Sequence, residues 1–542
     1  MQMASTPSGL TGRSARRAIG PALVLVAGLA FGTHPALAAG GALTSAGGAL
    51  PLTAALPPAS QPATGPEIEI PKPFEETDAA RYRQIFRLQN KADWKGANEI
   101  IGSLTDLRLM GHVLAQRYLS PTYKARYAEL SEWLGKYGDH PDAPAIYALA
   151  LKKKPASAKA PVEPNVSSFR GGTPDGANKG PEPAEWAQGL EAWRNGNSKA
   201  AATLFEKAAK ESNGNPWVQS AAAYWAARAH IRNREPQKVS EWLRLAAGDP
   251  RTFYGQLARR ALGVDTAFAW ADPVLTADGA EALMASRAGQ RALALIQIGQ
   301  RQRASDEFHL LRPQAGPELT QGMLAIANQI GMPSLTLGLG ASLEDKSGFR
   351  LDNALFPTPS WTPKGGFKVD RALLFALART ESGFNPEAKS PVGALGLMQL
   401  MPGTVKYVGD QLANEIGTRK PDWRDPEVNM TLGQGYVRYL LEDSNVNGDL
   451  LLMAAAYNAG PGNLAKWRDK LGYDNDPLLF LESMPSRETR DFAQRVLASM
   501  WIYQQRLGQD SPSLDALAAG AWPHYRPQDD EAVAAAAGDA SN

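Results

Sequence analysis

Apolar residues recur three or four positions apart along most of this chain, from about Phe74 onward. That spacing places them on one face of an α-helix. The clearest sets are Ile100, Leu104 and Leu107; Tyr123, Tyr127, Leu130 and Leu134; Ala201, Leu204, Phe205 and Ala208; and Trp217, Ala221, Tyr224 and Trp225. No run of strand length alternates apolar and polar residues, so the sequence predicts a mainly α protein.

Breaks in composition divide the helical pattern into regions. Residues 152–184 are rich in Pro, Gly and Ser, and they predict a linker between a helical domain at 74–151 and a helical superhelix at 185–345. In the second block small Ala residues stand beside large Trp, Tyr and Phe, which is typical of stacked helical hairpins. Such a superhelix could be a generic solenoid that binds nothing specific, or a scaffold that positions a catalytic domain on a large substrate.

The first residues predict export. Arg13, Arg16 and Arg17 precede an apolar run at 18–32, and Ala36-Leu37-Ala38 follows it. These are the parts of a secretory signal peptide at 1–38, so we expect cleavage after about Ala38 and a periplasmic location. The alternative is a membrane anchor, but this run of about 15 residues is shorter than the roughly 20 that span a bilayer.

Two further segments lie at the borders of the helical pattern. Residues 39–73 are rich in Ala and Pro and predict a flexible leader. Residues 511–542 carry one Arg against five acidic residues and predict an acidic tail, for which a disordered end is the simplest interpretation.

Composition excludes several classes of function. The chain has 57 Lys and Arg against 55 Asp and Glu, and removing residues 1–38 changes the net charge from +2 to −1, so no surface for nucleic acid is predicted. The chain has no Cys, which excludes disulfides, thiolate nucleophiles, Cys-ligated metals and a Cys-linked lipid anchor. No cofactor is predicted, because the His residues after position 38 lack metal-ligand spacing. They are His112, His140, His230, His309 and His524.

The segment at 364–508 sets glycine-containing turns between well-formed helices. Asp370 can cap a helix that runs from Arg371 to Glu381. Glu381 stands in phase with the apolar residues Leu374 and Leu377. A carboxyl group at a helix end among apolar groups should have a raised pKa, as a general acid requires. A helix-terminal Glu that points into solvent is the alternative.

Three more stretches carry polar groups at special positions. The run from Gly393 to Gln399 has two glycines three apart and an amide suited to sugar hydroxyls, although it could equally be a tight turn. The apolar helix that starts at Leu450 presents Tyr457 and Asn458 before Gly460 and Pro461 stop it. Residues 485–490 (PSRETR) open a helix, and their charges could simply be first-turn charges.

Taken in order, these stretches resemble the catalytic domain of soluble lytic murein transglycosylases. The resemblance rests on ESGFNPEAKSPVGALGLMQLMPGT (381–404), AYNAGPGN (456–463) and ESMPSRETRDFAQRVL (482–497), and upstream on AAAYWAARAH (221–230), DPRTFYGQLA (249–258) and FPTPSW (356–361). It implies a lysozyme-like α catalytic domain at 356–510. It also implies that the upstream helices form a superhelix, as a solenoid or a ring, that carries this domain.

The resemblance also implies a reaction. Glu381 would be the sole catalytic acid/base, and it would cleave the β-1,4 bond between N-acetylmuramic acid and N-acetylglucosamine without water. A 1,6-anhydro product would result, in cell-wall turnover or remodelling. Between Glu381 and Asp410 the only other acid is Glu387, so no obvious second carboxylate stands nearby. A partner from further along the chain stays open, and so does a lysozyme-type hydrolase on the same fold.

The remaining site residues follow from the same resemblance, position by position. Those expected to bind substrate are Ser390, Met398, Gln399, Tyr457, Asn458 and Glu488. Ser390 would orient the muramoyl group, Tyr457 would steady the Glu381 carboxylate or the acetamido group, and Arg490 would be structural. Expected partners are peptidoglycan glycan strands, with room on the superhelix for cell-wall synthesis or division proteins. A third alternative is a helical-repeat partner-binding protein with a vestigial enzyme domain.

Overall fold

The computed structural model describes residues 66–166, 182–347, 351–530 and 532. Outside the described residues lie the predicted signal peptide at 1–38 and parts of the leader (39–65), the linker (167–181) and the tail (531 and 533–542). Within the described ranges the chain forms α-helices joined by turns, with isolated β-bridges as its only extended pairing. None of these helices combines the length and the apolar character that crossing a membrane requires.

The first helices pack onto a later part of the chain. They are α1 (Glu76–Asn90), α2 (Trp94–Ile101), α3 (Met110–Tyr118), α4 (Tyr127–Lys136) and α5 (Ala143–Lys153). Tyr82, Ile85 and Phe86 of α1 lie in one apolar core with residues from 275–354. The region at 74–151, predicted as a domain of its own, therefore shares its main core with the second helical block. A smaller cluster around Trp133 joins α3, α4 and α5.

One predicted helical stretch, at 100–107, is wrong. Helix α2 ends at Ile101, and the chain then turns until α3 begins. Leu107, expected on the apolar face, is 58% exposed. The Asp78 carboxylate accepts hydrogen bonds from two backbone N–H groups of this turn, which satisfies them without a helix.

The second block contains two groups of helices. The first group is α6 (Ala184–Arg194), α7 (Ser198–Lys210), α8 (Pro216–Arg232), α9 (Pro236–Ala246) and α10 (Phe253–Leu262). The second group is α11 (Ala277–Met284), α12 (Arg287–Gln297), α13 (Arg301–Leu311), a 3₁₀ turn (Arg312–Gln314), α14 (Pro317–Gln329), α15 (Pro333–Ser347) and α16 (Asp352–Leu355). Consecutive helices of the first group pack on one another, as the hairpin pattern predicts.

Small and large residues interlock in the first of these groups. Buried Ala residues on α8 let neighbouring helices approach, and large rings fill the space that remains. Trp193 and Trp225 meet edge to face, with ring centroids 5.1 Å apart and planes at 84°, an arrangement that aromatic pairs prefer.

The C-terminal domain is built around a buried helix. Its helices are α17 (Arg371–Ser382), α18 (Pro402–Gln411), α19 (Ala413–Ile416), α20 (Pro426–Glu442), α21 (Leu450–Ala459), α22 (Pro461–Lys470), α23 (Pro477–Ser483), α24 (Arg487–Arg506) and α25 (Pro512–Ala518). Every residue from 372 to 379 of α17 is buried, which fits a helix that is apolar nearly all round. Helix α17 packs along α24.

The C-terminal domain and the first helical group share one apolar core. Phe253 of α10 stacks on Trp501 of α24, with ring centroids 5.2 Å apart. The Gln256 side chain donates a buried hydrogen bond of 3.0 Å to the carbonyl of Ala498. These contacts fix α24 against the superhelix.

Residues 511–530, predicted as the start of an acidic tail, belong to the C-terminal domain. Leu514 and Leu517 of α25 lie in its core. Asp370 occupies the predicted N-cap position of α17, but its side chain makes no bond to that helix. It accepts instead from the backbone N–H groups of Gln528 (2.8 Å) and Asp529 (2.9 Å). Asp529 in turn accepts from the backbone N–H of Arg371 at 2.7 Å.

We expect Asp529→Ala to lower the free energy of unfolding by about 1–3 kcal/mol, because it removes a buried charged acceptor from the first turn of α17. Thermal or urea unfolding measures the loss. The neighbouring, exposed Asp530 is the matched control, and Asp530→Ala should leave stability unchanged. Equal stability of Asp529→Ala, Asp530→Ala and the wild type would contradict a stabilising contact between Asp529 and the first turn of α17.

Candidate active site

Glu381 stands at the C-terminal end of α17, where its side chain reaches a cavity of about 1180 Å³. The helix stops where the sequence predicts, because Gly383 takes a left-handed conformation with φ 58°. Phe384 follows with φ 63° and is almost completely buried. This buried turn fixes the direction in which the last turn of α17 presents Glu381.

The cavity has two walls from distant parts of the chain. One wall is the segment at 381–389 that follows from α17. The other comes from the helical region, with Asp142 before α5 and Arg303, Asp306 and His309 on α13. The sequence analysis did not find this second wall, because no local pattern relates α5 or α13 to Glu381.

Burial raises the pKa of the Glu381 carboxyl to about 8. Removal from water is the main cause, since it penalises the charged form. The negative charge of Glu488 raises this pKa further, and the positive charge of Arg495 lowers it. The direction agrees with the expectation from the phase of Glu381 on its helix, and the group stays protonated near neutral pH.

Arg495 is a site residue that sequence reasoning missed. It stands seven positions after Glu488 on α24, so both lie on one face of that helix. The seven-residue spacing from Glu488 was the sequence feature that could have indicated Arg495. The first and third turns of α24 thus set opposite charges beside the Glu381 carboxyl.

The segment at 388–400 is a compact double turn. Leu395 pairs as an isolated antiparallel bridge with both Lys389 and Leu400. Ser390 uses its hydroxyl inside this turn, where Oγ accepts from the backbone N–H of Ala394 at 2.9 Å. Only glycine fits at Gly396, because a Cβ there would lie 2.2 Å from the amide nitrogen of Asn429.

Gln399 and Met398 face into this turn. The Gln399 amide donates to the carbonyls of Ala388 (3.1 Å) and Gly396 (2.8 Å) from a backbone at φ 43°. The Met398 side chain is fully buried against Gly433 of α20, below the turn. Its predicted contact with substrate stays a prediction, and the structure places the side chain in the core.

Asn429 on α20 was also missed by the sequence analysis. Its Oδ1 accepts from the backbone N–H of Met398 at 2.9 Å, and its Nδ2 donates to the carbonyl of Trp423 at 2.9 Å. The residue is fully buried. One amide therefore fixes the double turn to α20. Asn429 is one of several polar residues on α20, so no sequence pattern distinguished it.

Tyr457 connects the end of α21 with the same turn. Its hydroxyl donates to the Met398 carbonyl at 2.8 Å, and its ring stacks on Phe492 with centroids 6.0 Å apart. Burial is the main cause that raises the pKa of Tyr457, and the negative charge of Glu381 is the next largest. The two groups are therefore close in space. The structure thus brings Glu381, Tyr457 and Glu488 together.

The other predicted residues support the site from α21 and α24. Asn458 accepts a 2.6 Å hydrogen bond from the Thr489 hydroxyl, which ties the end of α21 to the start of α24. Glu488 is exposed in the first turn of α24. Arg490 forms an ion pair with Glu182, with 3.1 Å between Nη2 and Oε1, as its expected structural role requires.

Residues 362–477 match the family model of the transglycosylase SLT domain. This part of the chain is an SLT domain. It carries Glu381, the double turn and Tyr457, while the α24 residues lie beyond the match. The soluble lytic murein transglycosylase of Escherichia coli K12 is 37% identical over 149 residues, which are 28% of this chain and 23% of that protein. The chain therefore aligns with less than a quarter of that relative's length.

Solved structures share the fold of this chain well beyond the SLT domain. The 70-kDa soluble lytic transglycosylase of Escherichia coli matches with a TM-score of 0.50 and 20% identity, over 83% of this chain and 74% of that chain. The lytic transglycosylase Slt of Pseudomonas aeruginosa, solved as an inactive mutant, matches with a TM-score of 0.50 and 20% identity, over 81% and 69%. The predicted fold class, a helical superhelix followed by a lysozyme-like SLT domain, is confirmed.

The raised pKa of Glu381 predicts a pH-dependent stability difference. Between pH 4.5 and about 8 the folded chain keeps a proton that the unfolded chain loses, so Glu381 makes the fold less stable as the pH rises. Glu381→Gln should therefore match the wild type near pH 4 and exceed it above pH 8, by at most about 5 kcal/mol. Unfolding by urea across this pH range measures the difference.

Glu387→Gln is the matched control, because Glu387 is an exposed acid in the turn after α17. Its stability should stay within about 0.5 kcal/mol of the wild type. A Glu381→Gln variant with a constant stability difference at every pH would show that the carboxyl is not desolvated.

Proposed function

We propose that this protein is a peptidoglycan lytic transglycosylase. It would cleave the β-1,4 bond between N-acetylmuramic acid and N-acetylglucosamine and release 1,6-anhydro-muramoyl ends, in cell-wall turnover or remodelling. The observation that carries the proposal is the desolvated Glu381 carboxyl at the end of a buried helix, with a pKa raised to about 8 and with Tyr457 and Glu488 close to it. The match to the SLT domain and the murein transglycosylase relatives support it.

The first step needs an acid. With a pKa of about 8, Glu381 holds its proton at neutral pH and donates it to the glycosidic oxygen as the bond from C1 to that oxygen breaks. The leaving sugar departs with the proton as its new hydroxyl hydrogen. Positive charge then develops at C1, and the Glu381 carboxylate that has just formed stands next to it.

The second step needs a base and a nucleophile. The Glu381 carboxylate takes the proton of the muramoyl 6-hydroxyl, and O6 forms a bond to C1. The carboxyl is restored, no water is consumed, and the product is lighter by one water than a hydrolysed end. A glycosidase that uses water needs two carboxylates at about 5–9.5 Å, whereas this route needs one.

The remaining predicted residues take supporting roles in this proposal. Tyr457, close to Glu381 and bonded to the Met398 carbonyl, would hold the double turn in register with the acid. Gln399 keeps its Oε1 as an acceptor for a sugar hydroxyl or acetamide N–H. Ser390 and Glu488 would contact the substrate on either side of the acid. Asn458 would act through Thr489, and Met398 through its backbone.

We place the substrate, the periplasmic peptidoglycan, in the groove between the double turn and the first turn of α24. Groove shape and hydrogen bonds, rather than charge, would recognise the glycan, because residues 356–510 carry nearly equal numbers of acidic and basic residues. Any cell-wall synthesis or division partner would bind elsewhere on the superhelix.

Product analysis tests the reaction. Wild-type protein incubated with purified peptidoglycan should release muropeptides with 1,6-anhydro ends, detected by mass spectrometry as a deficit of one water. Glu381→Gln should lower the rate at least about 100-fold, since an amide can neither donate nor accept this proton. Glu442→Gln, which alters an exposed acid at the end of α20 outside the cavity lining, should release products at the wild-type rate.

Other outcomes would identify the alternatives. Hydrolysed reducing ends would make the protein a lysozyme-type hydrolase on the same fold. No release from wild-type protein, with a cellular phenotype that Glu381→Gln leaves unchanged, would indicate a partner-binding protein with a vestigial enzyme domain.

The charges beside Glu381 predict how activity depends on pH. The value of kcat/KM should fall tenfold per pH unit above about 8, because the deprotonated enzyme lacks the acid. Arg495→Gln should move this midpoint to higher pH and Glu488→Gln to lower pH, since they remove a positive and a negative neighbour. Rates measured with a soluble glycan from pH 5 to 10 give the midpoints. Shifts in the same direction would contradict the assignment of the acid to Glu381.

A further inference from the structure

Two buried histidines and a partly exposed aspartate form a cluster in the helical region, and the aspartate also lines the cavity that Glu381 reaches. His112 on α3 and His140 and Asp142 in the turn before α5 place one ligand atom each within 4.8 Å of one another. In the part of the chain that the structure describes, no other group of His, Asp and Glu meets this criterion. The three residues come from two elements, so sequence spacing gave no signal for a metal site.

Two nitrogens in this cluster lack partners. Nδ1 of His112 and Nε2 of His140 are buried, and neither has a hydrogen-bond partner among the described residues. Both side chains are at most 1% exposed, and the two rings lie with centroids 3.9 Å apart. Buried polar atoms without a partner are destabilising and rare. A ligand shared by the two rings would remove this cost.

The partner of His112 fits a metal ligand. Its Nε2 lies 2.8 Å from Oε1 of the buried Glu307 on α13. A proton on Nε2 donates to that carboxylate and leaves the lone pair of Nδ1 free. Histidines that bind metals commonly donate their second N–H to a carboxylate, which fixes the ring and its tautomer. Glu307 is held in place by Arg291, with 2.6 Å between Nε and Oε1.

The Asp142 carboxylate is available to the cluster. Asp142 occupies the N-cap of α5, but its side chain makes no capping bond. Its Oδ2 lies 3.7 Å from Nδ1 of His140 and 3.8 Å from the guanidinium of Arg303. Both distances exceed a hydrogen bond, so the carboxylate can bind a cation with a small movement.

The formal charges of the side chains around the cluster sum to a negative value. The acids outnumber the bases by two: Asp139, Asp142, Asp306 and Glu307 against Arg291 and Arg303. One divalent cation would balance these charges.

We infer that His112, His140 and Asp142 bind a zinc ion. His112 would bind through Nδ1 and Asp142 through its carboxylate, with the fourth position open to water. His140 would bind through Nε2, which puts its ring proton on Nδ1 and breaks the 3.1 Å hydrogen bond that Nδ1 accepts from the backbone N–H of Asp142. Two imidazoles and one carboxylate suit Zn²⁺ better than Mg²⁺ or Ca²⁺, which prefer oxygen ligands. Tetrahedral zinc needs its ligand atoms about 3.4 Å apart, so the side chains must close by roughly 1.5 Å at most.

The ion would connect separate elements of the helical region. It would link α3 to the turn before α5 and, through Glu307, to α13. Asp142 lines the same cavity as Glu381, so the zinc ion would fix the position of its side chain there. The site is independent of the proposed reaction, and its test does not use activity.

Zinc binding to the full exported chain tests the inference. After treatment with EDTA, titration calorimetry with Zn²⁺ alone should show one site per chain. At a free Zn²⁺ concentration 100 times the Kd, the ratio of folded to unfolded protein should rise about 100-fold, with a higher Tm. Replacement of zinc by Co²⁺ should give the visible absorption of a tetrahedral site.

Variants locate the site. Asp142→Asn should weaken zinc binding at least tenfold while the fold is kept, since Asp142 is partly exposed and caps no helix. His140→Ala should abolish binding. The control is His230→Gln, because His230 is a buried histidine whose two nitrogens already bond to Glu206 and Glu235. It should bind zinc as the wild type does.

Three results would overturn the inference. The first is the absence of stoichiometric Zn²⁺ binding to the folded wild type. The second is unchanged affinity in both Asp142→Asn and His140→Ala. The third is binding of Mg²⁺ or Ca²⁺ in preference to Zn²⁺.

Discussion

The desolvation of one carboxyl group, that of the half-buried Glu381, is the constraint on which the rest of the site depends. A carboxyl taken out of water stays protonated only if no strong cation or set of N–H donors stabilises its charged form. The surroundings of Glu381 meet this condition, because Arg495 is the cation that lowers its pKa among the described residues, and burial outweighs it. Above pH 4.5 the Glu381 carboxyl makes the fold less stable, because the unfolded chain loses a proton that the folded chain keeps. The extensive apolar core around α17 offsets this cost.

A buried acid also needs rigid walls, and long-range contacts supply them. Tyr254 of α10 donates a 2.5 Å hydrogen bond to the buried Glu482, and Gln494 of α24 donates to the same carboxylate at 2.9 Å. This carboxylate joins the superhelix to the helix whose first turns place Glu488 and Arg495 beside the acid. Any displacement of α24 would therefore change the electrostatic environment of Glu381 as well as the packing.

Features that depend on residues close together in the sequence could be predicted, whereas features that depend on residues far apart in the chain could not. The end of α17, the phase of Glu381 and the turn at Gly383 depend on neighbours within one helical turn, and periodicity shows them. The reciprocal contacts of Asp370 and Asp529 join positions 159 residues apart, so the sequence alone indicated only an ordinary helix cap.

The same reasoning explains the positions at which a local pattern misled or stayed silent. Leu107 matched a helical spacing, but the turn that holds it is fixed by Asp78 on another helix. Gln399 has the chemistry of a sugar-binding residue, yet its amide hydrogens are used to close its own turn. Only its oxygen stays available for a ligand. Residue type and spacing indicate which chemistry is present, and the tertiary contacts determine which atoms remain free to perform it.

The position of the cavity gives the superhelix a physical role beyond that of a scaffold. One wall comes from the SLT domain, while Asp142, Arg303 and Asp306 from the helical region line the other. These residues are charged, so the helical region contributes charge to the cavity that Glu381 reaches. Separating the C-terminal domain from the helical region would remove that wall and expose the apolar surface of Trp501, which stacks on Phe253. The two parts of the chain therefore form this cavity together.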